Sequence, residues 1–453
     1  MDKQDTSWEA SRSIQAFPKL EKNIETDVVI VGGGMAGLLS AYVLAKAGKK
    51  VIVLEKGRLA SGVTLKTTAF LTQIIDTDAE DVCRMLGVKK AKIMYASHMS
   101  GSALIERIAR EEKIDCDFKR VSNYIIAKTK DETEGLEDEV DVLKALGLAV
   151  VFERNKSGNI KNTAVLEVKD QAKFNPLSFL SGLVPVLISL GVSIYENTEV
   201  ESLNTEDQTA GNSVAGGLVI AKAGEHGVRA KWSVTATYQP FNNPAGVFMK
   251  KGMYVSYVYE IEVPKGSYAE GTYEDMKNPY HYFRVDAASG GAGDSQHDRI
   301  IVGGEDHRIE IPMDKEKNWQ ALSDYCDKTF GKDTYKIIRR WDGPMLEPSD
   351  GFALIGILKK NQIVATAFSG NGMTYSGIAA IMIRDIIEKG KSDWDTLYNP
   401  KRFPTFTMLR IKIRDYTGEF LRGALRNMIK YSKIVKEIVK EKNRKRKEKK
   451  QAK

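Results

Sequence analysis

Thr26 to Val31 is an unbroken β-branched and apolar run that stops at Gly32-Gly33-Gly34-Met35-Ala36-Gly37. Beyond it Leu38, Leu39, Tyr42, Val43, Leu44 and Ala47 recur at helical spacing. This pattern predicts a strand, a tight turn and a helix. Gly48 stops the helix, and Val51-Ile52-Val53-Leu54 reads as a second strand with Glu55 at its carboxyl end. Residues 79–112 are helical in pattern, and 117–170 read as short strands with a helix near Asp131 to Leu146. Pro176 opens another helix through Leu190. Strands then dominate to about residue 310: Val228 to Thr237 stops at Tyr238-Gln239-Pro240, Met253 to Val263 and Tyr280 to Val285 are rich in aromatics, and Ser289 to Asp294 reads as a hairpin end. A helix near Lys317 to Phe330, a turn at Gly343-Pro344 and a strand from Gln362 to Ala367 follow. Gly370-Asn371-Gly372 then leads into a last helix, Thr374 to Lys389.

Composition narrows the class without choosing a function. Of 453 residues 42% are hydrophobic and 28% charged, which suits a folded protein with a sizeable core. Cys83, Cys116 and Cys326 are odd in number and far apart, so neither a disulfide framework nor a thiolate metal site is expected, and a reducing, cytoplasmic location fits. Met1 to Phe17 lacks the plan of a signal peptide, and the apolar stretch Val28 to Ala47 is interrupted by four glycines, unlike a membrane span. The net charge of +8 is a property of the tail: from Lys401 onward 19 Lys and Arg face 5 Asp and Glu, leaving the preceding 400 residues at −6. Nucleic-acid binding by the body therefore has no electrostatic support. Within residues 401–453, Phe420, Leu421, Ala424, Leu425, Met428 and Ile429 recur at helical spacing among lysines and arginines. A basic amphipathic helix is expected there, docked on the body in preference to the other reading, peripheral contact with an anionic membrane.

The glycine turn carries the first chemistry. Gly32 permits the tight turn, Gly34 lets backbone N–H groups reach a pyrophosphate, and Gly37 lets the helix pack closely, while Met35 and Ala36 begin the helix whose dipole faces the anion. Glu55 stands 21 residues past Gly34, where a carboxylate accepts hydrogen bonds from an adenosine ribose, with Lys56 and Arg58 beside it. Strand, helix, second strand and acid together predict a dinucleotide site. They leave FAD and NAD both open.

From Ser7-Trp8 through Phe403 the sequence resembles the FAD-dependent oxidoreductases of the D-amino-acid oxidase superfamily, in the branch that often carries a C-terminal Rieske domain. The matching segments are Phe17-Pro18-Lys19-Leu20 leading into TDVVIVGGGMAG, ASGVTLKTTAFLT at 60–72, KIDCDF at 113–118, AKFNPLSFL at 172–180, IYENTEV, TATYQPF, VGGEDHR, RRW and VATAFSGNGMTYSGIAAIMIRDII at 364–387. The resemblance implies an α/β fold in which a Rossmann-like FAD-binding domain, residues 26–80, 165–240 and 340–400, interleaves with an antiparallel-sheet α+β substrate domain, residues 81–164 and 241–339. It implies FAD as cofactor, with Gly62, Thr64, Thr67 and Thr68 near the pyrophosphate and flavin, Val200 at the adenine and Thr237 near the ribityl phosphate. Gly370, Asn371, Gly372, Met373 and Thr374 would open a helix toward the flavin, its free N–H groups stabilising negative charge there. Two departures stand out. No Cys-x-His followed by Cys-x-x-His occurs, so no Rieske cluster and no metal are expected, and Asp342-Gly343-Pro344-Met345 replaces the family's usual Ser-Ala-Gln-Asp-like run.

The expected reaction is oxidation of a small amine or amino acid by hydride transfer to flavin N5, with oxygen or another electron acceptor completing the cycle. The alternatives are a quinone-linked dehydrogenase at the membrane surface and a flavin-dependent monooxygenase. Candidate walls of the substrate pocket are Tyr254 and Tyr257 on one strand and Tyr280, His281, Tyr282 and Arg284 on the next, with Tyr254, Tyr282 and Arg284 as the catalytic set. Arg284 is expected to grip a carboxylate.

Overall fold

The computed structural model describes residues 6–9, 13–206, 217–241, 251–276, 279–288, 296–309 and 314–402. The elements are β1 (Ile24–Val31), α1 (Met35–Lys46), β2 (Val51–Leu54), a 3-10 turn (Val63–Lys66), β3 (Phe70–Leu71), α2 (Ala79–Leu86), α3 (Val88–Glu111), β4 (Lys119–Ala127), α4 (Lys130–Leu146), β5 (Val150–Arg154), β6 (Ala164–Lys173) and α5 (Pro176–Ser189). After them come β7 (Ser193–Tyr195), β8 (Ser202–Glu206), β9 (Leu218–Ala223), β10 (His226–Thr235), β11 (Lys251–Pro264), β12 (Gly271–Asp275), β13 (His281–Asp286), β14 (His297–Arg308), α6 (Lys315–Phe330), β15 (Lys336–Pro348), β16 (Leu354–Lys359), β17 (Gln362–Thr366), α7 (Gly372–Lys389) and α8 (Asp395–Tyr398). Among these helices none is long and apolar enough to cross a membrane.

Two sheets organise the body. In the first, β17, β10, β1, β2 and β7 run parallel, β16 flanks them antiparallel, and the β8–β9 hairpin extends β10. Its strands are apolar over consecutive residues because both faces are covered, as at Val28, Val29 and Ile30, which have no exposed surface. The second sheet runs β15-β11-β14-β13-β12-β4-β6-β3, with β5 on β6, and is antiparallel except at β12 and β4. Helix ends follow local chemistry. Thr129 and Glu132 form a capping box at α4, and Asn175 accepts from Ser178 N ahead of Pro176 at α5.

The predicted helix over 79–112 is two helices, α2 and α3, because Gly87 takes φ +76 between them. The predicted turn at Gly343-Pro344 is instead the middle of β15, where Pro344 pairs with Val255. β15 lies at the end of its sheet, where a residue without an N–H costs little. Strands β3, β6 and β15 belong to the second sheet, although 70–71, 165–173 and 340–348 were expected in the nucleotide half. The last helix starts at Gly372, two residues earlier than its periodicity predicts. The expected hairpin end at 289–294 and the basic tail from residue 403 lie outside the described residues.

Helix α7 is held in place by glycines. A Cβ on Gly377 would lie 2.2 Å from Gly101 O, so α3 and α7 touch backbone to backbone. That contact fixes where the N-terminus of α7 points.

Candidate functional site

A single cavity of about 830 Å³ runs from the first sheet to the second, within the range of roughly 300–1,000 Å³ typical of ligand sites. At its near end Gly32 takes φ +114, and a Cβ there would meet Ala236 O at 2.5 Å. A Cβ on Gly37 would come within 1.9 Å of Gly32 O, so glycine at both positions lets α1 start directly on the turn. Gly37 is thus a packing residue and does not line the cavity, whereas Gly32, Gly34, Met35 and Ala36 do. The floor opposite Gly34 is Thr64, whose hydroxyl accepts from Met35 N at 3.2 Å. A side chain on Gly34 would press on that hydroxyl at 3.0 Å and fill the cradle.

Glu55 and Lys56 line the same end, with Val200 close by. The Glu55 carboxylate accepts from Gly33 N at 2.7 Å and Gly57 N at 2.9 Å, so the backbone orients it rigidly beside the turn. Arg58 does not line the cavity. Its guanidinium binds the buried Glu196 carboxylate at 2.6 Å and Ile14 O at 2.9 Å, bracing the loop from outside.

Gly62, Thr64, Thr67, Thr68 and Thr237 all line the middle of the cavity. Thr67 accepts from Ala69 N and Thr237 donates to Gln239 O, so both hydroxyls also stabilise their own turns. Gly370, Asn371, Gly372 and Met373 line it at the N-terminus of α7. Asn371 donates to Ile74 O at 2.7 Å, tying this helix start to the segment after β3. Thr374 is fully buried, does not line the cavity, and donates to the carbonyl of the lining residue Thr72.

The far end is made by the second sheet, and here the expected set is revised. Tyr282 lines the cavity, stacked on Tyr280 with centroids 5.5 Å apart and edge-on to Phe70 at 5.7 Å. Arg284 does not reach it. Its side chain is 3% exposed, donates to Thr68 O, Ala69 O, Phe174 O and Asp286, and lies over the Trp8 ring. Nε, Nη1 and Nη2 each have a partner in the wall, so the group braces it and does not face a substrate carboxylate. Tyr254 lies beneath the Arg308 guanidinium, outside the lining, and Tyr257 packs against Trp319 and His307 on the other side of the sheet. His281 is likewise behind the wall, between Asp275 at 3.2 Å and Glu305 at 2.9 Å. Burial opposes protonation of this ring, but the two carboxylates win and its pKa is raised.

What replaces the expected cation is acid. Asp76, Glu274 and Asp306 line the cavity with Ser256, Tyr280 and Tyr282. Burial, then the nearby Asp76, pushes the Glu274 carboxyl up to about 8. Burial pushes Asp306 up to about 7, with Asp76 adding to it and a hydrogen bond from Ser256 opposing. Asp306 is aimed by a β-bulge: Glu305 and Asp306 of β14 together oppose Ser256 of β11, and Glu305 takes φ +56. The sequence reading missed these acids. One signal was present, since Gly303-Gly304 inside a strand marks a bulge or close approach.

Residues 27–386 match the family described as FAD dependent oxidoreductase. The chain is 26% identical over 404 residues to a Rieske 2Fe-2S iron-sulfur protein of Bacillus subtilis (strain 168), spanning 88% of this chain and 76% of that one. It is 23% identical over 418 residues to the gamma-glutamylputrescine oxidoreductase of Escherichia coli (strain K12), spanning 86% and 89%. Among solved structures, the L-proline dehydrogenase from P. horikoshii superposes with a TM-score of 0.68 at 19% identity, covering 84% of this chain and 98% of the other.

Proposed function

The chain belongs to the FAD dependent oxidoreductase family, and from that premise we propose that it oxidises a small amine or amino acid held against the second sheet. The observation that carries the reading is the continuity of the cavity, which joins the glycine cradle to the aromatic and acidic wall without a break. The cofactor is FAD, and the residues fit it: a cradle that a Cβ on Gly34 would fill, an oriented Glu55 carboxylate, and two helix N-termini opening on one space. Gly32, Gly34, Met35 and Ala36 would hold the pyrophosphate, Glu55, Lys56 and Val200 the adenosine. Gly62, Thr64, Thr67, Thr68, Thr237 and Gly370 to Met373 would line the path to the flavin. Two relatives bear the names of a gamma-glutamylputrescine oxidoreductase and an L-proline dehydrogenase, which supports an amine or amino acid as substrate.

Bound FAD supplies the acceptor for an electron pair. The protein's part is to place the substrate carbon and manage a proton. Tyr280, Tyr282 and Phe70 form an aromatic wall, and Asp306, raised toward neutrality by burial, is matched to accept the proton an ammonium must lose before its carbon can release hydride. With the nitrogen deprotonated and the carbon held at this wall, the substrate would be placed to give up a hydride and form C=N. Water hydrolyses the iminium to a carbonyl compound, and oxygen or another acceptor takes the electrons. Purified holoprotein should be yellow, and air-free mixing with a panel of amines and amino acids should bleach its absorbance for at least one of them. Bleaching by a reduced nicotinamide and by no amine would overturn the proposal.

A further inference from the structure

The substrate end of the cavity is lined by acids, which take on negative charge as pH rises past neutrality. Three carboxylates, Asp76, Glu274 and Asp306, stand on its lining, and among the described lining residues there is no arginine or histidine. The two lysines there, Lys56 and Lys66, lie in the segments that follow β2, Lys56 next to Glu55 and Lys66 at the end of the 3-10 turn, and neither forms an ion pair with Glu274 or Asp306 among the described contacts. Arg284, the guanidinium placed nearest by chain position, is outside the lining and engaged by three carbonyls and Asp286. A substrate carboxylate would thus meet like charge and find no fork to receive it.

A second observation points to a ligand. Asp306 lines the cavity, and although its carboxylate takes a hydrogen bond from Ser256, its Oδ1 is shielded from solvent and has no hydrogen-bond partner. An enclosed carboxylate oxygen without a donor is costly, and a bulge with a left-handed Glu305 is spent in keeping it there. Its other surroundings offset the charge only in part: Ser256 and His281 favour the carboxylate, but His281 is shared between Asp275 and Glu305 behind the wall, and burial with the negative charge of Asp76 and Glu347 outweighs them. The paired rings of Tyr280 and Tyr282 offer what an organic cation favours beside the acids, an aromatic surface that desolvates it.

Resting on the amine-oxidation reading, we infer that the substrate is a cationic aliphatic amine lacking a carboxylate, a monoamine or diamine, whose ammonium group is bound by Asp306 and Glu274 against Tyr280 and Tyr282. Carboxylate recognition, and with it the α-amino acids, is disfavoured at this wall.

The test separates charge from turnover. tert-Butylammonium and pivalate share one shape, differ in charge, and cannot give hydride to the flavin. Each is titrated into holoprotein at mildly alkaline pH while the flavin absorbance is followed. tert-Butylammonium should perturb the spectrum with an affinity about tenfold or more above that of pivalate, and Asp306→Asn and Glu274→Gln should each weaken it about fivefold while pivalate gains. Using both variants guards against one that fails to fold, with retained FAD and circular dichroism as the check. Equal or tighter binding of pivalate, or no perturbation by either ion, would overturn the inference. Binding of tert-butylammonium together with no bleaching by any oxidisable amine would uphold the cation site and overturn the oxidation reading instead.

Discussion

Two groups of acids stand on neighbouring strands of the second sheet and are treated in opposite ways. Asp286 at the end of β13 is flanked by Arg284 and Lys173, and Lys173 also binds Glu270 at 2.8 Å. Burial opposes ionisation of Asp286, but the two cations overcome it and hold its carboxyl below the usual range. Glu274 on β12 and Asp306 on β14 form no ion pair with a cation among the described residues, and burial drives their carboxyls up to about 8 and about 7. The first group is closed on itself and holds the wall together. The second is left open toward a cavity, an unrelieved cost that a bound cation would offset.

The largest expected effect falls on the closed group. Asp286→Ala would strand Arg284 and Lys173, both 3% exposed at their side chains, and should cost about 3 kcal/mol, toward the low end for a broken buried pair because Lys173 keeps Glu270. Chemical denaturation measures it. A loss below roughly 1 kcal/mol would show that the two groups are not as different as their geometry.

Gly34→Val comes next, since it attacks the cofactor and not the sheet. The side chain fills the cradle beside Thr64, and the protein should fold but purify without FAD. Stoichiometric flavin in the variant would count against the cradle.

The open group should respond with the opposite sign to Asp286. A carboxyl whose pKa is raised on folding costs nothing while it is protonated in both states, and its penalty grows as pH rises above the unfolded range and through the folded value. Glu274→Gln should therefore match the parent near pH 4 and become more stable by on the order of 1–2 kcal/mol toward pH 8. Asp306→Asn should reach its full gain nearer pH 7. Thermal melts across that range decide it, and a pH-independent difference would remove unpaired charge as the cause.

The smallest effect is expected at Tyr254. Its ring is outside the cavity under Arg308, so Tyr254→Phe should leave flavin content and amine bleaching within about twofold of the parent. Tyr282→Phe removes a hydroxyl 3.0 Å from Ser256 Oγ on the wall and should slow bleaching noticeably more. Equal responses would mean the wall has been drawn on the wrong residues.

The nucleotide end was legible because its chemistry is local. A βαβ unit lies within about thirty residues, its glycines are dictated by contacts with near neighbours such as Gly32 and Gly37, and Glu55 follows at a fixed distance along a strand. The sequence by itself therefore determined the strand-turn-helix start and a dinucleotide site, and its resemblance to a family added the fold class, FAD and most of the further residues along the cavity. It also identified the aromatic strands of the second sheet. What it could not decide was which side chains of those strands face the cavity, because pairing registers and bulges join segments far apart in sequence. Asp306 is turned inward by a bulge against Ser256, fifty residues earlier, and Arg284 is captured by carbonyls of Thr68, Ala69 and Phe174. Only the tertiary structure brings Asp76, Glu274 and Asp306 onto one wall, since the charge of a pocket is set by which segments converge there and not by any run of residues within one of them.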